Sequence, residues 1–239
     1  ALAIALLLAV QSVMNGFERE MRERILSLMP HVQVTTAGDP QPLQELIETL
    51  EQDPNIASSR PFILAETLLM RGQTVSAAQL TGLERSALAP YESLLSPGVT
   101  DWHPESLVLG AAMVERLNLS VGDRVTFILP EENQAVYQPL SLRLSAVLES
   151  GTELDEVLAL VHVDALEALA AGASIRHGVA VQLEDVFAAT RWRWEIAQML
   201  PSEVRVTDWR ATHGNLYSAI QLSRDLIGLI LFLSLIHIS

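Results

Sequence analysis

Six histidines, His31, His103, His162, His177, His213 and His237, are the side chains of this sequence best suited to bind a metal or move a proton near neutral pH. They are scattered, and no HExxH or comparable ligand spacing joins them. Three groups of carboxylates, Glu131/Glu132, Glu153/Asp155/Glu156 and Glu184/Asp185, have the residue types of acid–base pairs, but neighbouring loop carboxylates read as a solvated face. There is no Cys, which excludes thiol nucleophiles, Cys-ligated metals and disulfides. A GxSxG nucleophile elbow and a GxxxxGKS phosphate loop are also absent, so the chain does not hold ATP in the Walker manner. No catalytic, cofactor-binding or metal-binding residue is assigned. What remains is a contact chemistry. Arg191-Trp192-Arg193-Trp194 joins the residue types that dominate interface energetics, and these four are the partner-contact candidates. On a helix Trp192 and Trp194 fall on different faces, so at least one belongs to the core.

The elements around these residues are set by where charge is placed. No charged residue precedes Glu18 or follows Asp225, so the net charge of −14 belongs wholly to the central part. An acidic domain is a poor binder of nucleic acid or anionic lipid, both of which need clustered Arg and Lys. Residues 1–14 form an apolar run broken only by Gln11 and Ser12, shorter than the ~20 residues a membrane-spanning helix needs. It is expected to be the end of a first transmembrane helix; a signal-peptide core is the competing reading, but no basic region precedes it. Residues 226–239 are expected to begin a second such helix. Its final SLIHIS, with His237 at lipid depth, reads as a non-native tail.

Between Met14 and Val34 an apolar segment becomes a charged amphipathic helix. Phe17, Met21, Ile25 and Leu28 share one face, while Glu18/Arg22, Arg19/Glu23 and Glu20/Arg24 are i,i+4 pairs of opposite sign. Pro30 ends the helix, and residues 31–35 alternate as a strand. The pattern fits a membrane exit; a surface helix in a soluble protein is the plainer alternative. Residues 43–50 follow as a helix, and 60–83 as antiparallel strands with a turn at Arg71-Gly72-Gln73. Residues 90–110 read as loop and short helix, and 111–117 as a helix. Gly122-Asp123 turns into a strand whose Val125, Phe127 and Leu129 face one way, and residues 140–148 alternate as the next strand. A strand at 158–163, a helix at 165–171, a strand at 178–183, a helix over 185–200 and a last strand at 204–208 complete the central part. A second amphipathic segment then leads back to the apolar run. Two units of strand and helix therefore bracket a mainly β insert, an α+β arrangement.

The string SVMNGFEREMRERILSLMPHVQV resembles the first membrane-exit segment of the permease subunits of lipoprotein-releasing ABC transporters, the LolC/LolE type within the MacB/FtsX-like group. VGDRVTFILP, SGTELDEVLALVHVDAL, HGVAVQLEDVFAA and WRATHGNLYSAIQ extend the likeness and are closer to the LolE type; the link 131–139 is short for the hairpin with which LolC-type subunits hold the periplasmic carrier. The resemblance implies a MacB-like periplasmic domain between two truncated transmembrane helices. Its expected parts are stalk helices at 15–30 and 210–225, a porter-like subdomain split into 31–88 and 177–209, and a β-rich Sabre-like insert at 89–176.

It further implies a non-catalytic permease in the bacterial inner membrane, with most of this chain in the periplasm. The implied task is to release outer-membrane-destined lipoproteins to a periplasmic carrier protein. The implied partners are a second permease subunit, LolC-like or a second copy of this chain, and a cytoplasmic ATPase subunit that binds ATP and Mg; no cofactor is expected on this chain. Val13, Met14, Phe17, Met21, Leu226 and Ile227 are the implied contacts for the lipoprotein's acyl chains. A MacB-like efflux permease, or an FtsX-like signalling subunit acting on a cell-wall hydrolase, are the alternatives within the group.

Overall fold

The computed structural model describes Ser12, Gly16, Leu222 and residues 30–36, 40–50, 52–72, 74–129, 138–168 and 175–212. The strands are β1 (Val32–Thr36), β2 (Ile56–Arg71), β3 (Thr74–Leu83), β4 (Leu95–Ser96), β5 (Ser106–Gly110), β6 (Arg124–Leu129), β7 (Gln138–Leu148), β8 (Leu158–His162), β9 (Ile175–Leu183) and β10 (Arg205–Asp208). The helices are α1 (Gln41–Leu50), α2 (Ala111–Arg116), α3 (Leu154–Val157), α4 (Val163–Glu167), α5 (Ala189–Ala197) and α6 (Trp209–Thr212), with a 3-10 segment over Arg85–Leu94. All ten strands belong to one hydrogen-bonded network.

One part of that network is an open antiparallel layer in the order β10-β1-β9-β2. Strand alternation sends Val32 and Val34 of β1 and Val179, Val181 and Leu183 of β9 to one face, where all are buried. Helix α1 meets that face through Leu43, Leu46 and Leu50, which recur at helical spacing, and α5 meets it through Ala189, Trp192 and Ile196.

The second part closes on itself. β2 pairs with β3, β3 with β8, β8 with β5, β5 with β7, β7 with β6, and β6 returns to β2. The result is a six-stranded ring with β2 as the strand it shares with the layer. Strands from both sides of residue 89 build it. Its interior is filled by alternate residues, among them Leu69, Leu80, Leu107, Leu109, Phe127, Leu142 and Leu144, all at most 1% exposed. Met113 of α2 and Leu166 of α4 belong to the same cluster. As expected, Val125, Phe127 and Leu129 share the buried face.

A third apolar cluster lies on the outer face of the ring. Phe62 and Leu64 of β2, Leu83 of β3 and Leu158 and Leu160 of β8 pack beneath Ala87, Leu88 and Trp102, and the Trp102 indole donates to the Leu83 carbonyl at 3.0 Å. β7 contributes to both clusters because its register with β5 shifts by one residue after Leu144. Leu142 and Leu144 face the ring interior, whereas Ala146 and Leu148 face outward. The alternation expected over 140–148 holds as a buried-exposed rhythm, while the bulge changes which cluster the buried side chains meet.

Candidate functional site

The ends of the central part meet at one corner. β1 and β10 are antiparallel neighbours, with Val32 opposite Asp208. The Trp209 N–H donates to the His31 carbonyl at 3.0 Å, and the Leu183 N–H donates to His31 Nδ1 at 3.0 Å. Because that Nδ1 accepts, the proton of a neutral His31 ring sits on Nε2. Asp208, 4% exposed, fixes the start of α6 by accepting the Ala211 N–H on Oδ1 at 3.0 Å. Its Oδ2 accepts the Thr190 hydroxyl at 3.0 Å and lies 3.7 Å from Arg193 Nε. Arg210 donates to the same Thr190 hydroxyl oxygen at 3.0 Å, which ties α5, β10 and α6 together. Trp209 is buried and donates its indole N–H to the Val186 carbonyl at 3.0 Å. The chain thus enters through Pro30 and leaves through Trp209 from adjacent, mutually bonded positions.

Beside this corner, on the face of the layer away from α1 and α5, lies a cavity of about 340 Å³. Its floor comes from β1, β9, β2 and β3, and its far wall from the 3-10 segment and α3; Pro30 also lines it. Phe62, Leu64, Leu83, Leu154 and Leu158 make much of it apolar. Set into that surface are Gln33, Gln79, Gln182, Arg60, Tyr91 and Glu153. Burial holds the Tyr91 phenol above its ordinary value, opposed by the positive charge of Arg60. Sequence reading did not find this cavity. Its polar lining comes from strand and helix positions far apart in the chain, and no spacing rule joins them.

Arg191, Trp192, Arg193 and Trp194 all lie on α5, but they do not share a surface. Trp192 is 6% exposed and packs with Val32, Leu46 and Ile196, so it is withdrawn as a partner contact; the helical rotation of about 200° between positions two apart turns it inward as it turns Trp194 out. Trp194 is 60% exposed, with the Arg193 guanidinium 5.1 Å from its ring centre. Arg193 also reaches Asp208, and Arg191 is an exposed i,i+4 neighbour of Glu195. Val13, Met14, Phe17, Met21, Leu226 and Ile227 lie outside the described residues, as do His213 and His237. Among the described residues no cluster of His, Asp and Glu has metal-binding geometry, and no helix is long and apolar enough to cross a membrane.

Comparison with known proteins gives a consistent set of relatives. The MacB-like periplasmic core domain family matches residues 1–198. The lipoprotein-releasing system transmembrane protein LolE of Haemophilus influenzae is 28% identical over 95% of this chain and 58% of its own length. The corresponding LolC protein of Xylella fastidiosa (strain Temecula1) is 26% identical over 98% of this chain and 59% of its own length. The chain therefore spans less than two thirds of the curated relatives it matches. Among solved structures, the periplasmic region of MacB from Actinobacillus actinomycetemcomitans aligns with 83% of this chain and 98% of that one, at 13% identity and a TM-score of 0.45.

Proposed function

The chain belongs to the MacB-like periplasmic core domain family, and from that premise we propose that it is the periplasmic part of a permease subunit of a lipoprotein-releasing ABC transporter. Its relatives carry that system in their names. The subunit sits in the bacterial inner membrane and catalyses nothing itself. A separate cytoplasmic ATPase subunit binds ATP and Mg, a second permease completes the membrane part, and a periplasmic carrier receives the lipoprotein.

The observation that carries the reading is the corner at which the chain enters and leaves. The Trp209–His31 bond and the four paired positions of β1 and β10 hold the two connections side by side. The stalk helices expected from the sequence at 15–30 and 210–225 would attach at adjacent, bonded points and move the domain as a lever, whereas a single flexible tether would let it swing freely. Work is needed because each CH₂ of a buried acyl chain holds its lipoprotein in the bilayer by about 0.8 kcal/mol. ATP hydrolysis supplies that work, and the paired stalks deliver it to the periplasmic side.

The test is depletion of the full-length protein in its host followed by fractionation of lipoproteins. Retention of mature lipoproteins in the inner membrane is the expected result. Normal sorting after complete depletion, with no second copy of the gene present, would refute the proposal.

A further inference from the structure

We infer that the cavity beside Pro30 is a binding site for an extended polypeptide segment, the stretch of the transported lipoprotein that adjoins its lipid anchor. The inference rests on the lipoprotein-release reading above and assigns a substrate contact to this domain. Three features of the cavity carry it.

The first is the state of its polar groups. Neither the Gln33 nor the Gln79 side-chain amide makes a hydrogen bond to any described residue, although both are half-buried and both line the cavity. The Tyr91 hydroxyl makes none either, and the Arg60 guanidinium makes one, to the Ser58 hydroxyl at 2.9 Å. Half-buried polar groups left without partners inside the protein are matched by water or by a ligand.

The second is what these groups can recognise. A primary amide carries donor and acceptor together, as a peptide group does, so Gln33, Gln79 and Gln182 suit alternating N–H and C=O groups. An acyl chain offers nothing to them and would leave them desolvated without compensation. The apolar floor around Phe62 and Leu64 takes the side chains of such a segment. Arg60 adds a single cation, which favours carbonyl oxygens or an acidic side chain. At about 340 Å³ the cavity admits a short stretch of chain and not a folded domain.

The third is position. The cavity is lined by Pro30, at the corner from which both connections leave. On the lipoprotein-release reading this corner is the end of the domain nearest the membrane, where a polypeptide whose anchor is still in the bilayer enters the periplasm.

The experiment uses the full-length subunit assembled with its partner permease and ATPase in inner-membrane vesicles. A benzophenone amino acid is placed at Leu154 or Val157 in the cavity, and at Met199, which is 76% exposed and outside it, as control. The probe is one triacylated host lipoprotein, with crosslinked peptides mapped by mass spectrometry. The expected result is crosslinks from 154 or 157 to the residues just after the lipidated cysteine, and none from 199. Q33A/Q79A should lower that yield about tenfold, the loss of two ordinary hydrogen bonds, while the subunit still assembles. Crosslinks to acyl chains, to the carrier or to the second permease in place of the lipoprotein polypeptide would overturn the inference, as would release of lipoprotein with no crosslink from the cavity. If the vesicles, given ATP and carrier, release no lipoprotein at all, the function reading fails and the inference falls with it.

Discussion

Asp208 is a buried carboxylate that supports three elements at once, and its replacement is the sharpest test of the corner. Asp208→Ala removes the acceptor for the Ala211 N–H and the Thr190 hydroxyl and leaves Arg193 without its carboxylate. Losing a helix cap to Ala costs ~0.5–2 kcal/mol, and breaking a buried ion pair by removing one partner costs ~3–5 kcal/mol. The Arg193 side chain is 27% exposed, so water recovers part of the second loss, and the two terms share one carboxylate and do not add in full. The expected cost is about 3 kcal/mol. Asp208→Asn keeps an oxygen for Ala211 but puts an NH2, which cannot accept, where Oδ2 meets Thr190 and Arg193, so it spares the cap alone and should cost about 2 kcal/mol. The assay is urea unfolding of a fragment covering residues 30–212, within which all three apolar clusters lie. Midpoints should shift with an unchanged slope. Asp208→Ala within about 1 kcal/mol of the parent, or Asn as costly as Ala, would refute the argument that this carboxylate holds the corner.

Two glycines separate forgiving from unforgiving close packing. A Cβ on Gly178 would sit 2.5 Å from the Phe62 ring, so Gly178→Ala should cost about 1–3 kcal/mol and be partly rescued by Phe62→Leu, whereas a Cβ on Gly110 would run into the Asp155 backbone, where no side-chain change gives relief. The Tyr91 phenol is raised by burial, so its neutral form stabilises the fold fully below the ordinary tyrosine value of 10.0, and that contribution is lost as pH rises through the higher folded value. Tyr91→Phe should therefore flatten the alkaline fall in stability above about pH 10, read as unfolding midpoints against pH. Trp192→Ala should destabilise by about 3–5 kcal/mol, while Trp194→Ala, on the exposed face of the same helix, should leave the midpoint nearly unchanged.

Local periodicity made much of this fold legible. Leu43, Leu46 and Leu50 mark α1, and Val125, Phe127 and Leu129 mark β6, because each pattern reports one buried face, whereas the helix expected over 185–200 opens as a 3-10 turn at Val186–Ala188 and is α-helical only over Ala189–Ala197. β5 reads as loop in the sequence because all five of its residues are buried and it shows no alternation among the Pro, Gly and Asp around it. Closure of the ring was invisible for another reason. It depends on β6 returning to Leu68–Met70 of β2, a pairing between segments far apart in sequence that no local window contains. The reversal of faces at Ser145 is similar, since a bulge leaves the buried-exposed rhythm intact and changes only what each face meets. Of the candidate contacts, the Arg-Trp cluster was placed on a helix correctly, and its division into Trp192 inside and Trp194 outside follows from helical geometry. The cavity was not legible, because its lining converges only once four strands lie side by side.

β1 has a further consequence, for how the molecule is made. Among the described residues it is the first strand, yet its two neighbours are β9 and β10, the last. A growing polypeptide can complete the ring once β8 has emerged, but β1 keeps both hydrogen-bonding edges bare until Ile175 and Arg205 have followed. Such edges are templates for wrong pairing. A strand made before the ring is thus the last to find its partners, and a chain arrested before β9 carries a finished barrel beside an open, adhesive strand.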